Sequence, residues 1–179
     1  MASYVSAGHH LRDSGAVGNG YKENELTIEF RDMVVDHCKR MGLRVITDDD
    51  SETLTQYFER IKPGGGSVVI EFHFDAAATT TATGTTALVG DDANQDSRNF
   101  AQELADTVSE VLDIRNRGVM PENLSYRKKL RIFREPAGVI SLLELGFITN
   151  KRDMEKYQAN KKYLACRIAD VIRRYDNLY

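Results

Sequence analysis

The 179-residue chain carries 24 Lys and Arg residues against 27 Asp and Glu, a net charge of -3, which is the size of one domain and gives no basic face for nucleic acid. Its 41% hydrophobic and 28% charged content suits a globular domain with a real core. No apolar run approaches the ~20 residues of a membrane span, and His9, His10, Arg12 and Asp13 stand where a signal peptide needs an apolar stretch, so cytoplasmic accumulation without membrane insertion is expected.

In chain order, Ser3 to Ala7 is a brief apolar segment ending on Gly8 and reads as a first strand. Leu26, Phe30, Met33, Val34, Cys38 and Met41 recur at steps of three and four, predicting a helix over about Glu25 to Arg40. Leu43 to Thr47 reads as a second strand, and Thr53 to Ile61 as a short helix stopped by Pro63-Gly64-Gly65-Gly66. Val68 to His73, dense in β-branched residues, is a third strand. A polar loop, Thr79 to Thr83, leads to a strand over Thr85 to Val89, and Phe100, Leu104, Val108, Val111 and Leu112 mark another helix. Leu130 to Phe133 reads as a short strand and Val139 to Glu144 as a buried one. Met154, Tyr157, Leu164, Ile168, Val171 and Ile172 close the chain on a long helix. This alternation predicts a single α/β domain over 1–179, a mostly parallel sheet flanked by helices. Cys38 and Cys166 belong to no CxxC pair and read as buried free thiols. Basic residues crowd from Arg115 to Arg134, as a solvated face or, in an enzyme acting on an anionic polymer, an anion-binding patch.

Sites in open α/β sheets form beyond the carboxyl ends of the strands. The first strand runs into His9, the third ends on His73, the Val139 strand ends on Glu144, and the loop after the first delivers Glu23 at a helix start. Two histidines and a carboxylate are a common ligand set for one catalytic zinc, with the fourth position left to water. A second carboxylate beside the metal can take that water's proton. Plainer readings exist for three of the four. His9 caps a turn, Glu23 is a helix-start carboxylate favoured by the dipole, and His73 is a core histidine satisfied by the backbone. Glu144 is harder to dismiss, because it lies in Ile140-Ser141-Leu142-Leu143-Glu144-Leu145-Gly146-Phe147, and burying a carboxylate is costly unless it is paired or serves a purpose.

The segments Ala7-Gly8-His9, Asp13-Ser14-Gly15-Ala16-Val17-Gly18-Asn19-Gly20-Tyr21-Lys22-Glu23, Ile70-Glu71-Phe72-His73 and Leu143-Glu144-Leu145-Gly146-Phe147-Ile148-Thr149-Asn150, followed by Asp153, occur in that order. Together they resemble the zinc N-acetylmuramoyl-L-alanine amidases of the amidase-3 type, with Ala82-Thr83-Gly84-Thr85 and Arg117-Gly118-Val119 as lesser landmarks. The resemblance implies a central sheet of about six strands and one zinc ion held by His9, Glu23 and His73. It also implies Glu144 as the catalytic carboxylate and peptidoglycan as the substrate, cut between N-acetylmuramic acid and L-alanine. A phage-type endolysin or mother-cell lysin with no separate cell-wall-binding domain is the expected setting.

Three positions depart from the family's pattern. His10 stands where glycine is usual, a second imidazole beside the first ligand, and Asp75 replaces a usual asparagine. Glu71 takes a position usually small and polar; a two-residue period puts it on the same side as His73. There it either orients that imidazole as an outer acceptor or is an edge-strand charge facing water. The glycine-rich Gly15 to Gly20 lacks both the GxGxxG order and a GK[ST] ending, so nucleotide binding is a poor alternative. A zinc carboxypeptidase acting on wall peptides, or a catalytically inactive wall-binding module, is the nearer one.

Overall fold

The computed structural model describes residues 2–178. Its elements run β1 (Ser3–Ala7), β2 (Val17–Gly18), β3 (Tyr21–Lys22), α1 (Glu23–Arg40), β4 (Val45–Thr47), α2 (Leu54–Arg60) and β5 (Val68–Asp75). Then follow β6 (Thr85–Val89), α3 (Gln95–Leu112), β7 (Asn116–Pro121), two 3-10 turns (Glu122–Leu124 and Arg131–Arg134), β8 (Val139–Phe147) and α4 (Lys151–Asp176). Six strands form one sheet in the order β4-β1-β5-β8-β6-β7, parallel throughout except where β6 meets β8; β2 and β3 form a separate two-stranded hairpin.

Strand alternation gives the sheet two different faces. Ile70, Phe72, Phe74, Leu143 and Leu145 point to one side and pack under α1, α3 and α4, with Phe30 edge-on to Phe72 and Phe74 edge-on to Tyr157 at 4.9 Å between centroids. Val69, Leu88 and Leu142 point to the other side, under a smaller cluster built from Tyr57 and Phe58 of α2 and Ile132 of the second 3-10 turn. These two short elements cover only part of that face. The uncovered remainder holds Glu71, His73, Thr86 and Glu144 in the floor of a cleft.

The mostly parallel sheet is as expected, but one of its expected strands is not in it. Leu130 to Phe133 falls on the 3-10 turn Arg131–Arg134, and the sixth strand is β7. The reason lies in Glu122, a fully buried carboxylate that accepts the Leu130 N–H at 2.7 Å and the Arg134 guanidinium at 2.8 Å, folding this segment back on itself. β7 hides from pattern reading because Gly118 and Pro121 look like turn residues, which an edge strand tolerates. β5 and β8 also run past their expected ends, to Asp75 and Phe147. Cys38 is a buried free thiol as expected, whereas Cys166 is only partly buried. Among the described residues, no helix is long and apolar enough to cross a membrane.

Candidate active site

β1 delivers the chain to Gly8, whose N–H donates to the Phe72 carbonyl at 2.8 Å and keeps the backbone against β5. A Cβ at Gly8 would sit 2.4 Å from the His73 ring, so any side chain here forces the ring or the strand to shift. His9 then turns with φ +68°, an uncommon conformation for a non-glycine residue and a frequent mark of functional sites. A tight turn from His10 to Asp13 follows, closed by the Asp13 N–H to the His10 carbonyl at 2.9 Å. Gly15, with φ +61°, passes so close that a Cβ would lie 2.5 Å from the His9 ring and 2.6 Å from a Glu23 oxygen.

Glu23 opens α1, where the helix dipole favours a carboxylate. It is 3% exposed, and its two oxygens are committed. Oε2 accepts the Ala16 N–H at 2.8 Å and faces His9 Nε2 at 3.1 Å. Oε1 accepts the Phe74 N–H at 3.0 Å and faces His73 Nδ1 at 2.9 Å. The outer nitrogen of each ring is also engaged: His9 Nδ1 with Asp13 at 2.9 Å, His73 Nε2 with Glu71 at 2.6 Å. An ionised carboxylate only accepts hydrogen bonds, so each imidazole donates from both nitrogens.

The titration behaviour follows. Burial works against charge on His73, but its hydrogen bonds to Glu23 and Glu71 and their charges outweigh it and raise this imidazole well above its ordinary value. His9 is raised too, burial being outweighed by its hydrogen bond to Glu23 and that group's charge. Burial alone would raise Glu23; hydrogen bonds from His73 and His9 hold it far below the usual carboxylate range. One ligand-capable atom from each of His9, Glu23 and His73 lies within 4.8 Å of the others, a grouping able to hold a metal ion.

Glu144 pairs in register with His73 on the adjacent parallel strand, so both project from the same face. Its Oε2 is buried without any hydrogen-bond partner in the protein, as is Oε2 of Glu71. Burial, reinforced by the Asp75, Glu23 and Glu71 carboxylates against the opposing His73, pushes Glu144 up to about 8. A carboxylate with an unsatisfied oxygen beside the His73 imidazole is equipped to exchange a proton with something in the cleft.

The four residues expected to converge do converge: His9 and Glu23 come from beyond the end of β1, as expected, while His73 and Glu144 stand inside β5 and β8 on the open face of the sheet. Glu71 faces His73, not solvent, and is 2% exposed. His10 stands apart from the cluster: its Nδ1 accepts the Arg12 N–H at 3.3 Å, and its carbonyl accepts from Asn24 at 3.0 Å. Asp13 carried no role in the sequence reading, and no periodicity marks it, because it reaches His9 through a turn. The cleft measures about 990 Å³, and its far wall includes Arg117, Met120, Tyr126 and Arg127.

The family model described as N-acetylmuramoyl-L-alanine amidase, Amidase_3, matches residues 4–174. The uncharacterized protein YqiI of Bacillus subtilis (strain 168) is 27% identical over 159 residues, covering 86% of this chain and 73% of that protein. N-acetylmuramoyl-L-alanine amidase CwlM of Bacillus licheniformis is 24% identical over 162 residues, 88% of this chain but only 60% of CwlM. The fold is shared with the catalytic domain of CwlV, an N-acetylmuramoyl-L-alanine amidase from Bacillus (Paenibacillus) polymyxa var. colistinus, at a TM-score of 0.77, 21% identity and 99% coverage of both chains.

Proposed function

The chain belongs to the Amidase_3 family of N-acetylmuramoyl-L-alanine amidases, and we propose that it works as a zinc-dependent peptidoglycan amidase, with His9, Glu23 and His73 as the metal ligands and Glu144 as the general base. One observation carries the ligand assignment. Each imidazole turns one nitrogen toward Glu23 and anchors the other on an outer carboxylate, Asp13 or Glu71. Histidines that bind metals are held this way, because the outer acceptor fixes the tautomer and the ring orientation. Two histidines, one carboxylate and a cleft open beside them suit zinc with a position left for water.

When bound, zinc supplies a Lewis acid that lowers the pKa of a water toward ~7 and polarises an amide carbonyl. His9 through Nε2 and His73 through Nδ1 would hold the ion together with Glu23, each without the proton it otherwise shares with that carboxylate. Glu144 takes the proton of the attacking water through its unpartnered oxygen and returns it to the departing L-alanine nitrogen. Its buried, carboxylate-rich surroundings favour picking the proton up.

Residues 1–179 serve on this reading as the catalytic unit, acting at the cell wall. Glu23, engaged by both imidazoles, is not free to act as one of the two carboxyl groups that flank a sugar bond in most glycosidases. Digestion of purified peptidoglycan followed by mass spectrometry tests the bond assignment. The expected products are intact stem peptides with a free L-alanine amino group and long glycan strands stripped of peptide. New reducing sugar ends would indicate a glycosidase, and a released D-alanine a carboxypeptidase; either result would overturn the assignment.

A further inference from the structure

Two β-bulges aim side chains at one spot. β5 and β8 pair His73 with Glu144 but Asp75 with Phe147, so β8 carries an extra residue at Leu145-Gly146. That residue resets the alternation and turns Phe147 to the cleft side instead of the helix side that Leu143 and Leu145 face. β6 and β7 pair Thr85 with Asn116 but Ala87 with Val119, so β7 carries its extra residue at Arg117-Gly118. Gly118 sits at φ +83° there and donates its N–H to the Asn116 side chain at 2.7 Å. The result is an Arg117 guanidinium 5.2 Å from the centroid of the Phe147 ring, both side chains lining the cleft.

A guanidinium resting on an aromatic face keeps the N–H fork along its edge free. Among the described residues the Arg117 guanidinium makes no ion pair and one hydrogen bond, a 3.5 Å contact with the Thr83 carbonyl, while its charge also acts on Asp75. Five carboxylates, Asp13, Glu23, Glu71, Asp75 and Glu144, line the cleft against two guanidinium groups, Arg117 and Arg127, and the site histidines. An anionic substrate is repelled by the carboxylates, and Arg117, the cleft guanidinium seated on an aromatic ring, offers it a fixed point of attraction.

We propose that Arg117, shelved on Phe147, is a carboxylate-binding subsite that receives the free α-carboxylate of the stem residue following L-alanine. This rests on the amidase reading above. In stem peptides that residue is a γ-linked D-glutamate whose α-carboxyl group is either free or capped as an amide. Phe147 lies three residues beyond Glu144, a run of about 7–10 Å once the bulge is allowed for. Two extended peptide residues reach about 7 Å, so a substrate with its L-alanine nitrogen near Glu144 brings the second residue to Arg117. The subsite therefore selects the acid over the amidated stem.

Calorimetric titration of the zinc-loaded protein with L-alanyl-γ-D-glutamate and with its α-amide tests this without requiring turnover. The acid should bind ~10-fold or more tightly, the usual worth of a hydrogen bond to a charged group. Arg117→Met should bring the acid down to the affinity of the amide and leave the amide within about threefold, while Arg117→Lys should restore part of the difference, lacking the fork. Thermal melts of both variants should match wild type, since Arg117 is exposed. Equal affinity of wild type for the two peptides, no binding of the acid, or equal weakening of both by Arg117→Met overturns the subsite. Turnover of the corresponding muramoyl peptides separates the two ideas. A wild-type protein that discriminates the dipeptides yet cleaves neither muramoyl peptide contradicts the amidase reading and leaves the carboxylate subsite standing.

Discussion

Glu71 and Asp13 hold the outer nitrogens of His73 and His9, but in different surroundings: the Glu71 side chain is 2% exposed, that of Asp13 54%. Water can replace an exposed acceptor and not a buried one. Glu71→Gln should therefore weaken zinc binding by about 10–100-fold, the range for outer partners of metal ligands, and Asp13→Asn by less. Competition against a fluorescent zinc chelator measures both; a larger loss for Asp13→Asn would contradict the argument. Gly8→Ala is a second test at this scale. Its methyl group would meet the His73 ring at 2.4 Å, so ring or strand must shift, and zinc affinity should fall with the fold kept by circular dichroism. Glu71 was legible because a strand's two-residue period puts it beside His73. Asp13 was not, since a turn has no period from which to infer that one side chain faces another.

At the scale of elements, Asp153 ties the end of β8 to the start of β6. From the first turn of α4, 2% exposed, it accepts the Phe147 and Gly84 N–H groups at 3.0 Å each and the Thr83 hydroxyl at 2.6 Å. Asp153→Ala leaves two buried N–H groups unpaired at roughly 1–3 kcal/mol each, so a loss of about 2–6 kcal/mol is expected by urea denaturation. A change below 1 kcal/mol, on the order of a single weak hydrogen bond, would show that the tie is dispensable. Most elements could be read from periodicity, because α1, α3 and α4 each bury one continuous apolar stripe against the sheet. The exceptions share a cause. The 3-10 turn at Arg131–Arg134 and the strand β7 are set by the buried Glu122 and by a neighbouring strand, contacts that no periodicity carries, and both bulges register only against the strands they pair with.

Across the whole molecule, the site couples stability to pH. His9 and His73 are raised from an ordinary 6.5, and Glu144 is raised from 4.5 to about 8. A raised group contributes stability that is complete below its unfolded value and lost as pH climbs through its folded value. Glu144 thus loses its contribution from 4.5 up to about 8, and the histidines lose theirs above 6.5. Glu23, lowered, keeps its own contribution throughout that window and loses it only in acid. Chelator-treated protein should melt lower at pH 9 than at pH 6. Zinc competes with the same protons, so its stabilising effect should grow over that interval. Scanning calorimetry with chelator and with zinc checks both signs; a chelated protein that gains stability toward pH 9 would contradict them. The single α/β domain and the four converging residues were legible in the sequence. The cleft's position over the open sheet face was not, because it depends on how little of that face α2 and the second 3-10 turn cover.

The central claim is a division of labour, His9, Glu23 and His73 holding zinc while Glu144 moves the proton. Turnover of Glu144→Gln at full zinc occupancy, with zinc counted in the same sample, tests it most directly. Glutamine keeps the size and hydrogen bonding of the side chain but cannot accept the proton of the attacking water. Zinc should remain near one per chain while the rate of muramoyl-peptide cleavage falls by ~100-fold or more. Near-normal turnover with zinc bound would contradict the account and move the base to another carboxylate of the cleft.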